Sequence, residues 1–497
     1  MAVQEAKPVA ALADAAVVEG ITFRAVAWSL LLLVLSVIWM QHAGLISHGT
    51  QIGESVPVIP AVGAAILLTL LSPLLRRLPR FFHMSQRQVM LVYMFLCIAI
   101  TMPSVGVVRM LFPNTTALFY FASPENDFAR FQQYIPDWMV PKDPEVIRQM
   151  YEGSPTETVP WRAWLLPLSI WTGFYLITFI TMLCVISILR RQWADKERLT
   201  FPIVHMVLDL SDQTGHRLVG GFFRNPLMWA GFTLVAIYNV LNILNAWNPA
   251  VPAMGRGYDL GRLFTERPWS AIRPLTIAWR PENFGLGYLV STEITFSVWF
   301  FYMLLRLSNV VAVTMGYEIA GFPFDQEQAA GAYLAMSIFL LYVARGHLAA
   351  VFRKALGLSA EPDDSDEPIP YRWAVLGAVL GFAGMVFFVV RAGMWTWTAA
   401  VYFMLFLLFA IVYARARAEA GAAMVWLFPF YQHKRMMINV LGSEAYVRGG
   451  DWGNLTIFSV LMFMSRGFFQ STMAYQIESE KIASESGIRP RLVPPWL

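Results

Sequence analysis

The sequence predicts an all-α fold, a polytopic transmembrane helical bundle of about 10–12 membrane segments that includes a re-entrant or broken element. Three observations predict it. Hydrophobic residues make up 57% of the 497-residue chain and charged residues only 14%, where an ordinary soluble domain carries about 25% charged residues. The mean hydropathy is +0.52. Apolar runs recur along almost the whole chain, with Lys and Arg gathered in short clusters between them.

The apolar runs fall at 26–40, 56–75 and 89–112, the third interrupted by Pro103 and Gly106. They continue at 164–189, 227–244 and 285–305, then at two short stretches, 309–320 and 329–342. Clear spans follow at 373–390 and 397–413, a short, interfacial stretch at 420–430, and a last candidate at 455–469. The N-terminus lacks the basic region, compact apolar core and cleavage site of a signal peptide, so the first run is expected to stay as a membrane helix. The expected organisation is a cytoplasmic tail at 1–24 and a membrane bundle at 25–358. An acidic linker, "SAEPDDSDEPIPY", follows at 359–371, then a second group of helices at 372–470 and a C-terminal tail at 471–497. Prolines and carboxylates exclude the linker from a bilayer.

Basic residues set the expected orientation. Arg76, Arg77, Arg80 and Arg87 follow the second run; Arg190, Arg191, Lys196, Arg198, Arg217 and Arg224 follow the fourth; Arg345, Arg353, Lys354 and Arg372 surround residue 350. The loop between the first two runs has no Lys or Arg. The positive-inside rule then puts the N-terminus in the cytoplasm and the loops 114–163 and 246–283 outside. Against this, the second loop holds Arg256, Arg262, Arg267, Arg273 and Arg280, although long loops count less in the rule. The expected location is the inner (plasma) membrane, as a multi-pass protein. The 114–163 loop carries Tyr134, Trp138, Trp161 and Trp164 among several prolines. Such aromatic residues sit at headgroup level, so an ordered extracytoplasmic cap is expected, in preference to a plain connecting loop.

Ionisable residues inside apolar runs are costly and often functional. Glu293 lies in "GYLVSTEITFSVWFFY", beside Thr292 and Ser297. In "VTMGYEIAGFPFDQEQAAGAYLA", Glu318, Asp325, Gln326 and Glu327 fall within ten residues, among Gly316, Gly321, Pro323 and Gly331. Two short apolar stretches flank that break, the arithmetic of a re-entrant hairpin, and broken helices of this kind build substrate sites in secondary transporters. An ordinary turn with capping acids is the plainer alternative. Arg417 and Glu419, with Arg415, directly follow a clear span; Arg415 and Glu419 are four apart and can pair on one helix face, or the arginines can serve as a positive-inside anchor. These seven residues, Glu293, Glu318, Asp325, Gln326, Glu327, Arg417 and Glu419, are the candidates for a substrate or proton pathway. Asn239, Asn242 and Asn245 lie along one side of the fifth run, where interhelical hydrogen bonds are the favoured role.

Other chemistry is not indicated. The net charge of +4 is an orientation signal, with no nucleic-acid partner expected. Cys97 and Cys184 read as small buried hydrophobes, not a disulfide or zinc framework. The seven histidines are scattered, and there is no Walker A sequence, H-E-x-x-H, Cys-x-x-Cys or nucleophile elbow. No metal, cofactor or catalytic residue is therefore expected.

The N-terminal third, "TFRAVAWSLLLLVLSVIWMQHAGLISHGTQIGESV" followed by a basic loop and "MSQRQVMLVYMFLCIAITMPSVGV", resembles the opening of the oligopeptide transporter superfamily. "RRQWADKERLTFPIVHMVLDL" resembles that superfamily's polar stretch leading to a Leu-x-(Tyr/Phe)-Pro helix start, here Leu199, Phe201 and Pro202. More closely, the chain resembles an uncharacterised prokaryotic membrane family. Its marks are "FYFASPEN" at 119–126, "PDWMVP" at 136–141, "RRQWADKERLTFP" at 190–202 and "RARAEAG" at 415–421. The resemblance implies a fold more strongly than a substrate. It implies a secondary transporter of a small peptide or chelate-like solute. The place of Glu293 and Glu318 in apolar runs, the glycines around Glu318 and the lack of an ATP motif make either one the expected group to line an internal cavity and exchange a proton. Relatives are expected to continue past "MAYQIESEKIASESGIRPRL" into further helices, whereas this chain stops at Leu497. Either a partner polypeptide supplies those helices or the bundle is shorter. Two other functions stay open. One is a membrane-embedded enzyme on a lipid-linked substrate, using Glu54, Glu125 and Asp127. The other is a non-catalytic membrane subunit, as a homo-oligomer or within a larger assembly.

Overall fold

The computed structural model describes residues 21–46, 52–79, 82–104, 107–211, 221–255, 257–277, 280–422, 432–466 and 468–497. Most of the expected tail 1–24 and of the stretch 420–430 lies outside these residues. Helix α1 (Phe23–Gln41) begins at Thr22, whose hydroxyl accepts from the Ala25 N–H. After α2 (Ile59–Leu75), helix α3 (Gln86–Ala99) begins with a capping box formed by Ser85 and Gln88. Such caps satisfy backbone donors that the helix cannot. The Gln88 amide also donates to Thr22 Oγ1 at 3.2 Å, so α1 and α3 start side by side. The chain breaks around Pro103, as expected, and resumes as α4 (Val108–Tyr120).

The stretch 114–163 is ordered. It holds the end of α4, α5 (Phe128–Phe131) and α6 (Pro144–Glu152). Asp143 caps α6, Arg148 pairs with Glu145 at 2.8 Å and Glu152 at 3.1 Å, and Tyr120 stacks on Tyr151 at 4.1 Å. The Arg148 guanidinium, with help from the Gln149 amide, holds the Glu145 carboxyl below its usual range. Trp171 pins this layer to the bundle by donating to the Met139 carbonyl at 3.0 Å.

Helix α7 (Trp161–Arg191) is the long central span; α8 (Pro202–Leu210), α9 (Gly221–Arg224) and α10 (Pro226–Trp247) follow. A small hairpin of β1 (Tyr258–Asp259) and β2 (Thr276–Ile277) precedes α11 (Pro281–Leu289) and α12 (Thr292–Thr314). The remaining helices are α13 (Asp325–Val343), α14 (Arg345–Ala355), α15 (Tyr371–Ala392), α16 (Thr396–Ala420), α17 (Gln432–Leu441), α18 (Gly453–Val460), α19 (Phe468–Ser486) and α20 (Val493–Trp496). The fold is thus an all-α polytopic bundle. Among the described residues, six helices are long and apolar enough to cross a membrane, α1, α7, α10, α12, α15 and α16, with a seventh if α13 and α14 form one bent span. Three shorter apolar helices accompany them. Of their apolar stretches, 61% of α7 and 67% of α16 is buried in the protein, against 6% of α10 and 11% of α12. The first two therefore form the centre, while α10 and α12 turn Phe232, Leu234, Phe296 and Phe301 outward.

A broken element exists, but not where the helix-breaking residues suggested. The chain bends by 64° between α13 and α14, at Ala344, two residues before Gly346. Residues 315–324 instead connect two helices. Gly316, Gly321 and Phe324 take positive φ, and Pro323 has no N–H to donate, so one helix stops and the next starts there. The first half of the run 309–320 is the C-terminal part of α12, and the second half lies in this connection.

The two expected groups of helices interleave. Helix α15 lies against α7, and α16 against α19. The first contact depends on small residues. A Cβ on Gly381 would sit 2.0 Å from Thr181 Oγ1, and one on Gly377 would sit 2.6 Å from Cys184 Sγ. Backbones approach this closely only at glycine. The 471–497 stretch, expected as a tail, enters the core as α19, and Trp496 beyond it donates to the Leu91 carbonyl at 2.7 Å. Asn239 and Asn245 bond to Val235 and Val251 carbonyls, within α10 and the turn after it. Gly381→Ala is expected to destabilise the detergent-solubilised protein by about 1–3 kcal/mol through overpacking, seen as a lower thermal midpoint. Gly346→Ala, where the added Cβ meets open space, should leave the midpoint unchanged or raise it slightly.

Candidate functional site: a charged junction between helices 7, 16 and 19

Helix α19 carries the sequence "FFQSTMAYQIESEKIASES". Its Ser471, Thr472, Gln476, Glu478, Ser479 and Glu480 are all buried. The helix packs between α3, α7 and α16, so a charge-bearing helix runs through the middle of an apolar bundle. Polar groups in such a place need partners.

The helix has two polar sides. Tyr475 and Glu478, three apart, share one face, and Gln476 and Glu480, four apart, share another. On the first, Arg417 of α16 grips Glu478 with two parallel hydrogen bonds, Nε to Oε1 at 3.1 Å and Nη2 to Oε2 at 2.5 Å. The Tyr475 ring lies 4.0 Å from the same guanidinium, and the Tyr475 hydroxyl donates to the Ser55 carbonyl. Both charged side chains are almost fully buried, at 0% and 6% exposure. On the second face, Ser187 of α7 donates to Glu480 Oε1 at 2.5 Å, and the Gln476 amide donates to the Phe179 carbonyl at 3.1 Å.

Further ion pairs close this end of the bundle. Arg190 at the end of α7 binds Glu367 with two hydrogen bonds, at 2.8 Å and 3.2 Å, and reaches Asp195 at 3.2 Å. Tyr371 also donates to Glu367, and Arg191 donates to the Asp363 carbonyl. The 359–371 segment is therefore docked on α7 through a buried carboxylate. Arg415 pairs with both Glu197 and Glu419, and its guanidinium lies 5.7 Å from the Trp193 ring. Backbone bonds reinforce the joint. Phe201 N–H donates to the Ala418 carbonyl, and Thr200 Oγ1 to the Glu419 carbonyl, both at 2.8 Å. The motifs at 190–202 and 415–421, distant in sequence, thus form one joint.

The opposite ends of α7 and α16 lie near the layer built from 114–163, and crevices open there. One of about 500 Å³ lies among Asn114, Phe128, Phe131, Trp452, Thr456 and Ser459. Another, of about 690 Å³, includes Arg109, Gln149, Tyr151, Trp161 and Trp164.

Of the sequence-derived candidates, Arg417 and Glu419 belong to the junction. The others lie elsewhere. Glu293 is exposed in the first turn of α12, where a carboxylate complements the helix dipole. Glu318 is exposed and pairs with Arg267 at 2.8 Å. Asp325, in the first turn of α13, approaches Arg306 at 3.9 Å, and Glu327 approaches Arg435 at 3.7 Å. Gln326 is exposed beside them. None of these five is placed in an internal cavity. Glu125 and Asp127 are exposed, whereas Glu54 is buried. The junction residues that sequence reasoning missed are Ser187, Arg190, Glu197, Glu367, Glu478 and Glu480. One signal was available: Arg417 has no acid three or four residues away on its own helix and so needed a partner on another. Among the described residues no group of three His, Cys, Asp or Glu side chains converges as a metal site, and both cysteines are free and buried.

The fold and its apolar helices define a polytopic α-helical membrane protein. Residues 15–497 match the model of DUF6785, a family of unknown function, and the chain belongs to that family. No curated protein matches it, and no solved structure does.

The buried pair gives a direct prediction. Glu478→Gln leaves the Arg417 charge buried without a counter-ion and should cost about 3–5 kcal/mol of stability. The double variant Arg417→Met with Glu478→Met should recover most of that loss. Unfolding measured in detergent for the single and double variants checks both statements.

Proposed function

We propose that the protein is a secondary transporter of a small solute, in which α19 provides the moving polar seam and the ion pairs around α7 and α16 form the closed gate. One observation carries the reading: a helix with two buried carboxylates runs through the centre of an apolar bundle. A purely structural span would gain more from apolar side chains there, since a buried ion pair rarely stabilises more than the hydrophobic residues that could replace it. Ionisable groups buried among membrane helices are candidates for ion and substrate pathways, and these two lie where α7 and α16 reach their last turns. Two features support a gate. The buried ion pairs lie at one end of α7 and α16, and the two larger crevices, of about 500 and 690 Å³, open at the other, while a smaller one of about 330 Å³ lies at the basic end beside Arg24 and Arg76. On this reading the carrier is closed at its basic end.

The resemblance of the N-terminal third and of the 190–202 motif to oligopeptide transporters makes a small peptide or chelate-like solute the first class to try, with a proton gradient as the driving force. On this reading the protein is not an enzyme. In proteoliposomes, a panel of labelled di- and tripeptides and metal chelates should include one that accumulates against its gradient under an imposed pH difference. A protonophore should abolish that accumulation. Equilibration without accumulation for every solute in the panel would count against the reading.

The same geometry supports an orientation. Arg24 donates to the His83 carbonyl, Arg87 to the Ser486 carbonyl and Arg191 to the Asp363 carbonyl. The basic ends of α1, α3, α7 and α19 therefore gather together, and the positive-inside rule assigns that end to the cytoplasm. A single cysteine in place of Asn126, at the opposite end, should react with a membrane-impermeant maleimide added outside intact cells. Labelling only after the cells are opened would reverse the assignment.

A further inference from the structure

We propose that Glu480 is a proton-binding site, occupied in this closed arrangement and able to exchange with water only when α7 and α19 part. The inference rests on the transporter reading for its role in a cycle, but the site itself is defined by geometry.

The two buried acids of α19 are treated differently by the fold. Glu478 has a guanidinium on both oxygens. Glu480, one helical face away and 1% exposed, has only the Ser187 hydroxyl, on Oε1. Its Oε2 is buried with no hydrogen-bond partner among the described residues. An ionised carboxylate in that position would hold a full charge with one neutral donor, and such a group takes up a proton instead. As an acid, Glu480 keeps Oε1 as the carbonyl acceptor for Ser187, and the proton sits on Oε2. Ionisation needs only water as the co-reactant: the Oε2–H bond breaks, its electron pair stays on the carboxylate, and the proton goes to water.

The surrounding charges do not supply a counter-ion. From α7, Ser187, Cys184 and Arg190 face Glu480. Arg190 is already committed to Glu367 and Asp195, and Glu367 is itself a carboxylate on the same side. Arg417 of α16, with Tyr413, faces Glu478, as do Tyr93 and Cys97 of α3. Arg87 of α3 is bound to the Ser486 carbonyl. On α19 itself, Lys481 turns to Glu485 at 2.7 Å. His205 and Asp209 of α8 are exposed, and so is Arg491 before α20. The position suits a carrier: Ser187 is contributed by α7 and Glu480 by α19, so separating the helices removes the hydroxyl and admits water in one movement.

Infrared difference spectroscopy on the purified full-length protein tests the site without any transport assay. Wild type minus Glu480→Gln at neutral pH should show the carbonyl stretch of a protonated carboxylic acid, shifted in heavy water. Ser187→Ala should move that band by removing the hydrogen bond. A difference spectrum with carboxylate bands only would overturn the proposal. If Glu480→Gln fails to fold, the band and its displacement by Ser187→Ala decide the matter in the other proteins, and an absent or unmoved band overturns it. In proteoliposomes, Glu480→Gln should lose pH-driven accumulation. Undiminished accumulation would overturn the exchange role. Absence of transport in the wild type would fault the transporter reading while leaving the infrared result decisive for the site.

Discussion

The bidentate contact between Arg417 and Glu478 is the constraint around which the bundle is arranged. It joins the most buried span, α16, to a helix too polar to be inserted alone. Once that pair is made, α19 can occupy the centre. Its apolar residues, Met473, Ala474, Ile477, Ile482 and Ala483, then complete the core. Without it, two charges would be left buried and unpaired, each costing several kcal/mol.

The other features of the junction are ordered around this contact. Arg415, two residues before Arg417, lies roughly on the opposite side of α16 and reaches out to Glu197. That places the turn after α7, so Phe201 and Thr200 can bond the last turn of α16. Gly421, at φ +68, sits against Pro202, and a side chain there would meet both strain and the proline ring. At the far side of α7, Arg190 holds Glu367 and with it the start of α15. The glycine face of α15 then lets that helix lie close along α7. One end of the bundle is therefore cross-linked by charge, while the other is held by aromatic packing such as Phe174 on Phe388 at 4.3 Å.

Membrane class, the long spans and the ordered layer at 114–163 were legible because each has a local signature: a long apolar run, or aromatic residues among prolines. The joint between 190–202 and 415–421 was half legible. Both motifs stood out, and Arg417 and Glu419 were singled out, but pairing across more than two hundred residues has no local signature. Helix α19 was not legible. Glu478, Glu480 and Lys481 lower its hydropathy to that of a solvated tail, and only a partner on another helix reverses the conclusion. Glu293 and Glu318 misled for the converse reason. Each lies in or beside an apolar run, yet Glu293 falls at a helix start and Glu318 just beyond a helix end, where a carboxylate reaches solvent or an arginine.

Amide hydrogen exchange reports whether α19 is an interior helix. In the full-length protein in detergent or nanodiscs, peptides covering 473–483 should exchange as slowly as those from the middle of α16, because both are buried and hydrogen-bonded. Exchange of 473–483 as fast as that of an exposed terminus would place α19 outside the core.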